Sequence, residues 1–113
     1  VVTGQDAHAG PTPLSMRRDA LLGAARVVAA VRRIAETHPD EARGTVGQLD
    51  VTPNSRNVIP GRVALTVDLR NARDETLSRM VDALRAECAA IAAEDRLDGL
   101  KGEAGEPDHA PQC

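Results

Sequence analysis

Residues 54–70 read N-S-R-N-V-I-P-G-R-V-A-L-T-V-D-L-R: a polar loop, a turn at Pro60-Gly61, and a strand ending on Asp68-Leu69-Arg70. In the strand, Val63, Leu65, Val67 and Leu69 alternate with Arg62, Ala64, Thr66, Asp68 and Arg70. A period of two sends the apolar set to a core and the other set to the opposite face, which predicts a sheet covered on one side only. Arg70 then lies on the polar face, with Asn57 in the loop that leads into the strand. A guanidinium next to a loop amide makes a receptor for a small carboxylate, because the planar fork donates two parallel hydrogen bonds and the amide adds a directional one. A solvated strand arginine and a turn asparagine is the plainer reading, and this stretch alone favours it.

Working outward, residues 43–52 read as the preceding strand, with Thr45, Gly47, Leu49 and Val51 on one face and Pro53 ending it. Gly47 marks a bulge or the close approach of another backbone. The connection to Gly61 is too long for a two-residue hairpin, so a loop joins the two strands. Val58 and Ile59 tuck against the rim of the domain or a partner and anchor Asn57. Downstream, residues 74–94 read as a helix with Asn71 as its cap and Asp74 and Glu75 in its first turn. Leu77, Met80, Val81, Leu84, Cys88, Ile91 and Ala92 form its inward stripe, which makes Cys88 a small buried hydrophobe of little reactivity.

The first third begins with a strand over residues 1–4. An irregular stretch, Q-D-A-H-A-G-P-T-P-L, follows over residues 5–14. Gly10, Pro11 and Pro13 stiffen it, and a stiff loop after a strand presents a side chain reproducibly. His8 is the candidate, a surface histidine being the plainer reading. A long helix is predicted over residues 15–37, capped by Ser15 or opened by Thr12-Pro13, with Leu21, Ala24, Ala25, Val28, Val31, Ile34 and Ala35 inward. Pro39 stops it, and His38 is a helix-end residue favoured by the dipole. Beyond residue 94, Leu97 and Leu100 support at most a short edge strand. Residues 102–113 read as a flexible tail, in which His109 and Cys113 make too poor a set for a metal.

The order strand, helix, strand, strand, helix and a weak last strand predicts an α+β ferredoxin-like two-layer sandwich. Its antiparallel sheet has about four strands, with two helices on one face. Residues 1–101 are the expected domain. The chain has 113 residues, no Phe, Tyr or Trp, and a formal net charge of -3. Its acidic excess falls wholly after residue 96, so the predicted domain is neutral. Without a basic stripe or stacking aromatics, no nucleic-acid partner is expected. No run is apolar enough for a membrane span, and Cys88 and Cys113 suit a reducing cytoplasm.

Three ordered motifs carry a resemblance. D-A-H-A-G-P-T-P-L-S-M-R-R-D-A (6–20), T-V-G-Q-L-D-V-T-P-N-S-R-N-V-I-P-G (45–61) and V-D-L-R (67–70) resemble the small domain of hydantoinase/carbamoylase amidohydrolases, within the M20 metallopeptidase-like superfamily. That family includes N-carbamoyl-L-amino acid hydrolases, allantoate amidohydrolases and β-ureidopropionases. The likeness covers about residues 1–94, with Pro11 where the family usually has Thr and Leu14 where it usually has Met.

The resemblance implies a lid and dimerisation domain inserted in a larger catalytic domain, so the chain is expected to be a fragment of an enzyme and to pair as a homodimer. It implies His8 as the lid histidine that stabilises the oxyanion, reaching into the partner subunit's site. It implies Asn57 and Arg70 as substrate-binding residues, Arg70 gripping the carboxylate. The full enzyme is implied to hold two divalent metals, zinc, manganese or similar, which activate a bridging water. No cofactor or metal site is expected in this chain, which alone should be inactive as a hydrolase. Two alternatives are a freestanding ferredoxin-like module that binds small carboxylates and a purely structural dimerisation domain.

Overall fold

In the computed structural model, which describes residues 1–38 and 41–100, the elements run β1 (Val2–Thr3), β2 (Ala7–His8), α1 (Ala20–Thr37), β3 (Arg43–Thr52), β4 (Val58–Ile59), β5 (Arg62–Arg70), α2 (Asp74–Glu94) and β6 (Gly99–Leu100). The tail at 102–113, with His109 and Cys113, lies outside the described residues, as does Pro39. Four strands form an antiparallel sheet in the order β3-β5-β1-β6, and β2 and β4 form a separate two-stranded ribbon. The fold is α+β, a ferredoxin-like two-layer sandwich.

The alternation in β5 is realised along its whole length. Val63, Leu65, Val67 and Leu69 are buried, while Ala64, Thr66 and Asp68 are half-exposed on the other face. Both helices pack on the buried side, α1 through Ala24, Val27, Val31 and Ile34, α2 through Met80, Leu84, Cys88 and Ile91. Each fully buried Leu, Val, Ile or Met contributes about 1.5–3 kcal/mol. With no aromatic rings to fill space, the layers lie close. A Cβ on Gly44 of β3 would come within 2.8 Å of the Val31 carbonyl of α1, so a larger residue there would push the helix off the sheet.

The inward stripe of α1 is shifted: Val27 and Ala30 are buried, while Ala25 and Val28, expected inward, are exposed. Three further local expectations are corrected. First, α1 starts at Ala20 instead of residue 15. Leu14 and Met16 form a single 3₁₀ turn, and their side chains are 81% and 68% exposed, so no core holds a helix there. The cap is Asp19 instead of Ser15, its carboxylate accepting from the N–H groups of Leu21 (3.0 Å) and Leu22 (3.2 Å). Second, Arg73 occupies the cap position of α2. Asn71 acts two residues earlier, its Oδ1 accepting from the Arg73 N–H at 2.9 Å. Third, a bulge between Val46 and Gln48 switches the faces of β3, so Thr45 lies opposite Asp68 while Leu49 and Val51 lie opposite Leu65 and Val63. The bulge falls on Gly47, one of the two roles the sequence left open for it.

The end of α2 is a Schellman turn. Arg96 takes φ 55°, and the Leu97 N–H donates back to Ala92 O at 2.9 Å, which buries Leu97 against the core. Arg26 of α1 reaches across to Glu94 and Asp95. Its hydrogen bond to Glu94, aided by the charge of Asp95, holds the guanidinium above its ordinary range.

Candidate functional site

His8 closes β2 and pairs with Val58 of β4 in the ribbon. Its side chain is exposed, but its ring is held. The Gly10 N–H donates to His8 Nδ1 at 3.1 Å. An accepting Nδ1 places the proton of a neutral ring on Nε2, so the tautomer assigned from this bond offers a donor on the far side. A Cβ on residue 10 would sit 3.3–3.4 Å from the ring, close enough to press on its present placement. The His8 carbonyl accepts from Thr12 Oγ1 at 2.6 Å. Arg17 donates from Nη2 to Ala9 O at 2.7 Å and from Nε to Thr12 O at 3.1 Å.

Asn57 stands in a turn closed by the Val58 N–H on Ser55 O at 3.2 Å. Its own carbonyl accepts from the Ala9 N–H at 2.8 Å. The two motifs at residues 6–20 and 45–61 therefore meet at one tip, His8 on one strand and Asn57 at the head of the other. Ile59 is 3% exposed and roots the ribbon. The expectation that Val58 and Ile59 anchor Asn57 is met by a strand pairing that the sequence did not reveal.

Arg70 ends β5 on the polar face. Its Nε and Nη2 meet Asp68 Oδ1 and Oδ2 at 2.9 and 3.0 Å, a fork held by a carboxylate two residues back on the same face. Arg43 lies directly across the sheet from it. With Arg70 67% exposed, this ion pair adds little stability, but it orients the guanidinium plane.

The neighbourhood of Asn57 and Arg70 read from the sequence is corrected here. Asn57 precedes β4 at the Arg62 end of β5, and Arg70 closes the other end. Eight strand steps at about 3.3 Å separate Arg62 from Arg70, roughly 26 Å, and the ribbon lies beyond Arg62. His8 and Asn57 are thus brought together, and Arg70 stands apart on the same rigid sheet.

Two surface depressions, of about 380 and 290 Å³, lie elsewhere, and none of the three residues lines them. Among the described residues no group of three or more His, Cys, Asp or Glu side chains is placed to hold a metal ion. Nor is any helix among them long and apolar enough to cross a membrane. Arg17 is the residue that sequence reasoning passed over. Its partners are backbone carbonyls, which leave no mark in a residue pattern.

The profile of the peptidase dimerisation domain family matches residues 1–96. The N-carbamoyl-L-amino-acid amidohydrolase of Rhizobium meliloti is 42% identical over 90 residues, which is 80% of this chain and 22% of that protein. Crystal structures of hydantoinase/carbamoylase family amidases from Burkholderia multivorans and Burkholderia vietnamiensis are 57% and 58% identical, each with a TM-score of 0.84, over 86% of this chain and 24% of theirs. The chain thus spans less than a quarter of the length of these relatives. On profile, sequence and fold together, the chain belongs to the peptidase dimerisation domain family, in its hydantoinase/carbamoylase group.

Proposed function

We propose that this domain is the substrate-binding lid and dimerisation domain of a metal-dependent amidohydrolase. Its substrates would be N-carbamoyl-L-amino acids or related ureido acids, cleaved at a non-peptide C–N bond. The likeness to the N-carbamoyl-L-amino-acid amidohydrolase of Rhizobium meliloti supports the substrate class. The Arg70 fork, on exchanging Asp68 for the substrate, suits the carboxylate that such substrates carry, and His8 Nε2–H suits the negative charge that develops on a carbonyl oxygen under attack. Asn57 adds an exposed amide beside His8. The described residues hold no ligand set for the metals, which the proposed catalytic part of the enzyme would hold.

One observation carries the assignment of roles. His8 and Asn57 share a tip, and Arg70 stands at least roughly 26 Å away on the same sheet. A small ureido acid spans far less than that, so one domain cannot offer all three groups to one substrate. In a two-fold dimer, Arg70 of one protomer and the His8–Asn57 tip of its partner complete a site. A surface for that pairing is present. Among the described residues nothing pairs with the outer side of β3, and α1 beside it exposes Leu22 (53%), Ala25, Val28 (40%) and Ala29.

Mixing tests this in the full-length enzyme. His8→Ala and Arg70→Ala homodimers, each nearly inactive when assayed with substrate well below the wild-type KM, are unfolded together and reassembled. Sites built across the dimer recover roughly a quarter of wild-type activity, because half the dimers are mixed and each mixed dimer keeps one intact site. A mixture as inactive as its components would place all three groups in one protomer's site or in none.

A further inference from the structure

We infer that Arg17 is a positioning residue for His8, an inference that rests on the reading of His8 as the group that meets the developing oxyanion. The loop over residues 8–12 has no buried side chain: His8, Gly10 and Pro11 are exposed, Ala9 and Thr12 half-buried. Apolar packing therefore does not set its shape, and polar contacts do. Arg17 supplies two of them from one rigid group, Nη2 to Ala9 O at 2.7 Å and Nε to Thr12 O at 3.1 Å. Those carbonyls flank Gly10, whose N–H orients the imidazole, and Thr12 in turn bonds the His8 carbonyl.

The clamp is fixed at its own end. The Arg17 N–H closes the 3₁₀ turn on Leu14 O at 3.2 Å, and two residues later Asp19 caps α1. A half-buried guanidinium thus links the helix start to the loop that carries His8. Among the described residues no ion pair involves Arg17. Both bonds depend on the planar fork, since an ammonium donates from a single point and cannot hold the two carbonyls with the same geometry. Arg17 touches neither substrate nor reacting atoms, so its effect passes through the placement of Nε2–H, where an error of about 1 Å costs up to roughly a hundredfold in rate.

The test is a double-mutant cycle in the full-length enzyme, with Arg17→Lys and Arg17→Met each made alone and on His8→Ala. The expected result is a fall in kcat of about tenfold for Arg17→Lys, with KM within about twofold, and no further loss when either change is added to His8→Ala. Hydrogen exchange at the Ala9 and Gly10 amides should quicken while that of α1 stays unchanged. Should Arg17→Met fail to fold, Arg17→Lys, which keeps the charge and most of the stem, carries the cycle alone. Wild-type kcat in Arg17→Lys, or losses that multiply in the double variant, would overturn the inference and leave the reading of His8 intact. An unchanged kcat in His8→Ala would overturn that reading and the inference with it.

Discussion

The N–H of Ala9 donates to the carbonyl of Asn57 at 2.8 Å, joining a loop that precedes α1 to a loop that follows β3. The bond makes one tip of two motifs remote in the chain. The tip has its own root in Ile59, which pairs with Ala7 and is almost fully buried. Ile59→Ala should cost about 2–4 kcal/mol, read as a lower midpoint in urea unfolding. Faster hydrogen exchange at Ala9 should accompany it.

Removing Arg70 and removing His8 should have different kinetic signatures in the full-length enzyme. Arg70→Ala loses charge-assisted bonds worth about 1.5–3 kcal/mol and should raise KM roughly ten- to a hundredfold with a small change in kcat. His8→Ala should lower kcat by about a hundredfold or more and leave KM close to its original value. Steady-state kinetics on a carbamoyl amino acid check both, and equal effects on both parameters from both changes would contradict the division of roles.

The exposed stripe on α1 should respond to charge. Leu22→Asp or Val28→Asp should weaken pairing at least about a hundredfold, because an unpaired carboxylate would be trapped in an apolar contact. Sedimentation velocity reads the dimer, and circular dichroism should show the helix content unchanged, since both side chains already face outward. A dimer undisturbed by either change would move the interface away from α1.

Arg96 sits at φ 55°, where a side chain is disfavoured and glycine is at ease. Its backbone carbonyl accepts from Arg18 Nε at 2.7 Å, a contact that glycine retains. Arg96→Gly should therefore stabilise the domain by about 0.5–1 kcal/mol, seen as a higher midpoint in thermal or urea unfolding.

Much of the fold is legible along the chain because periodicity is a local property. The alternation over 62–70 yields β5, the stripe from Leu77 to Ile91 yields α2, and the glycine at 47 marks the bulge. Local competition is harder to read. Ser15 and Asp19 are both good caps, and the choice of Asp19 rests on where buried residues begin, at Ala20. The ribbon escaped notice because a two-residue strand has no period, and Ala7–His8 becomes a strand only through its pairing with Val58–Ile59.

The candidate site divides in the same way. Sequence alone determined its chemistry: the histidine in a stiff loop, the asparagine before the Pro-Gly turn, and the arginine on the polar face of a strand. Each is a matter of residue type and neighbouring backbone. Tertiary structure decided which of them lie together. A strand that reads as a short run of letters is a rigid spacer of roughly 26 Å, so Arg70 parts from Asn57 despite their closeness in the chain. The hydrogen bond from the Ala9 N–H to the Asn57 carbonyl sets His8 beside Asn57 despite the helix and strand between them in the chain.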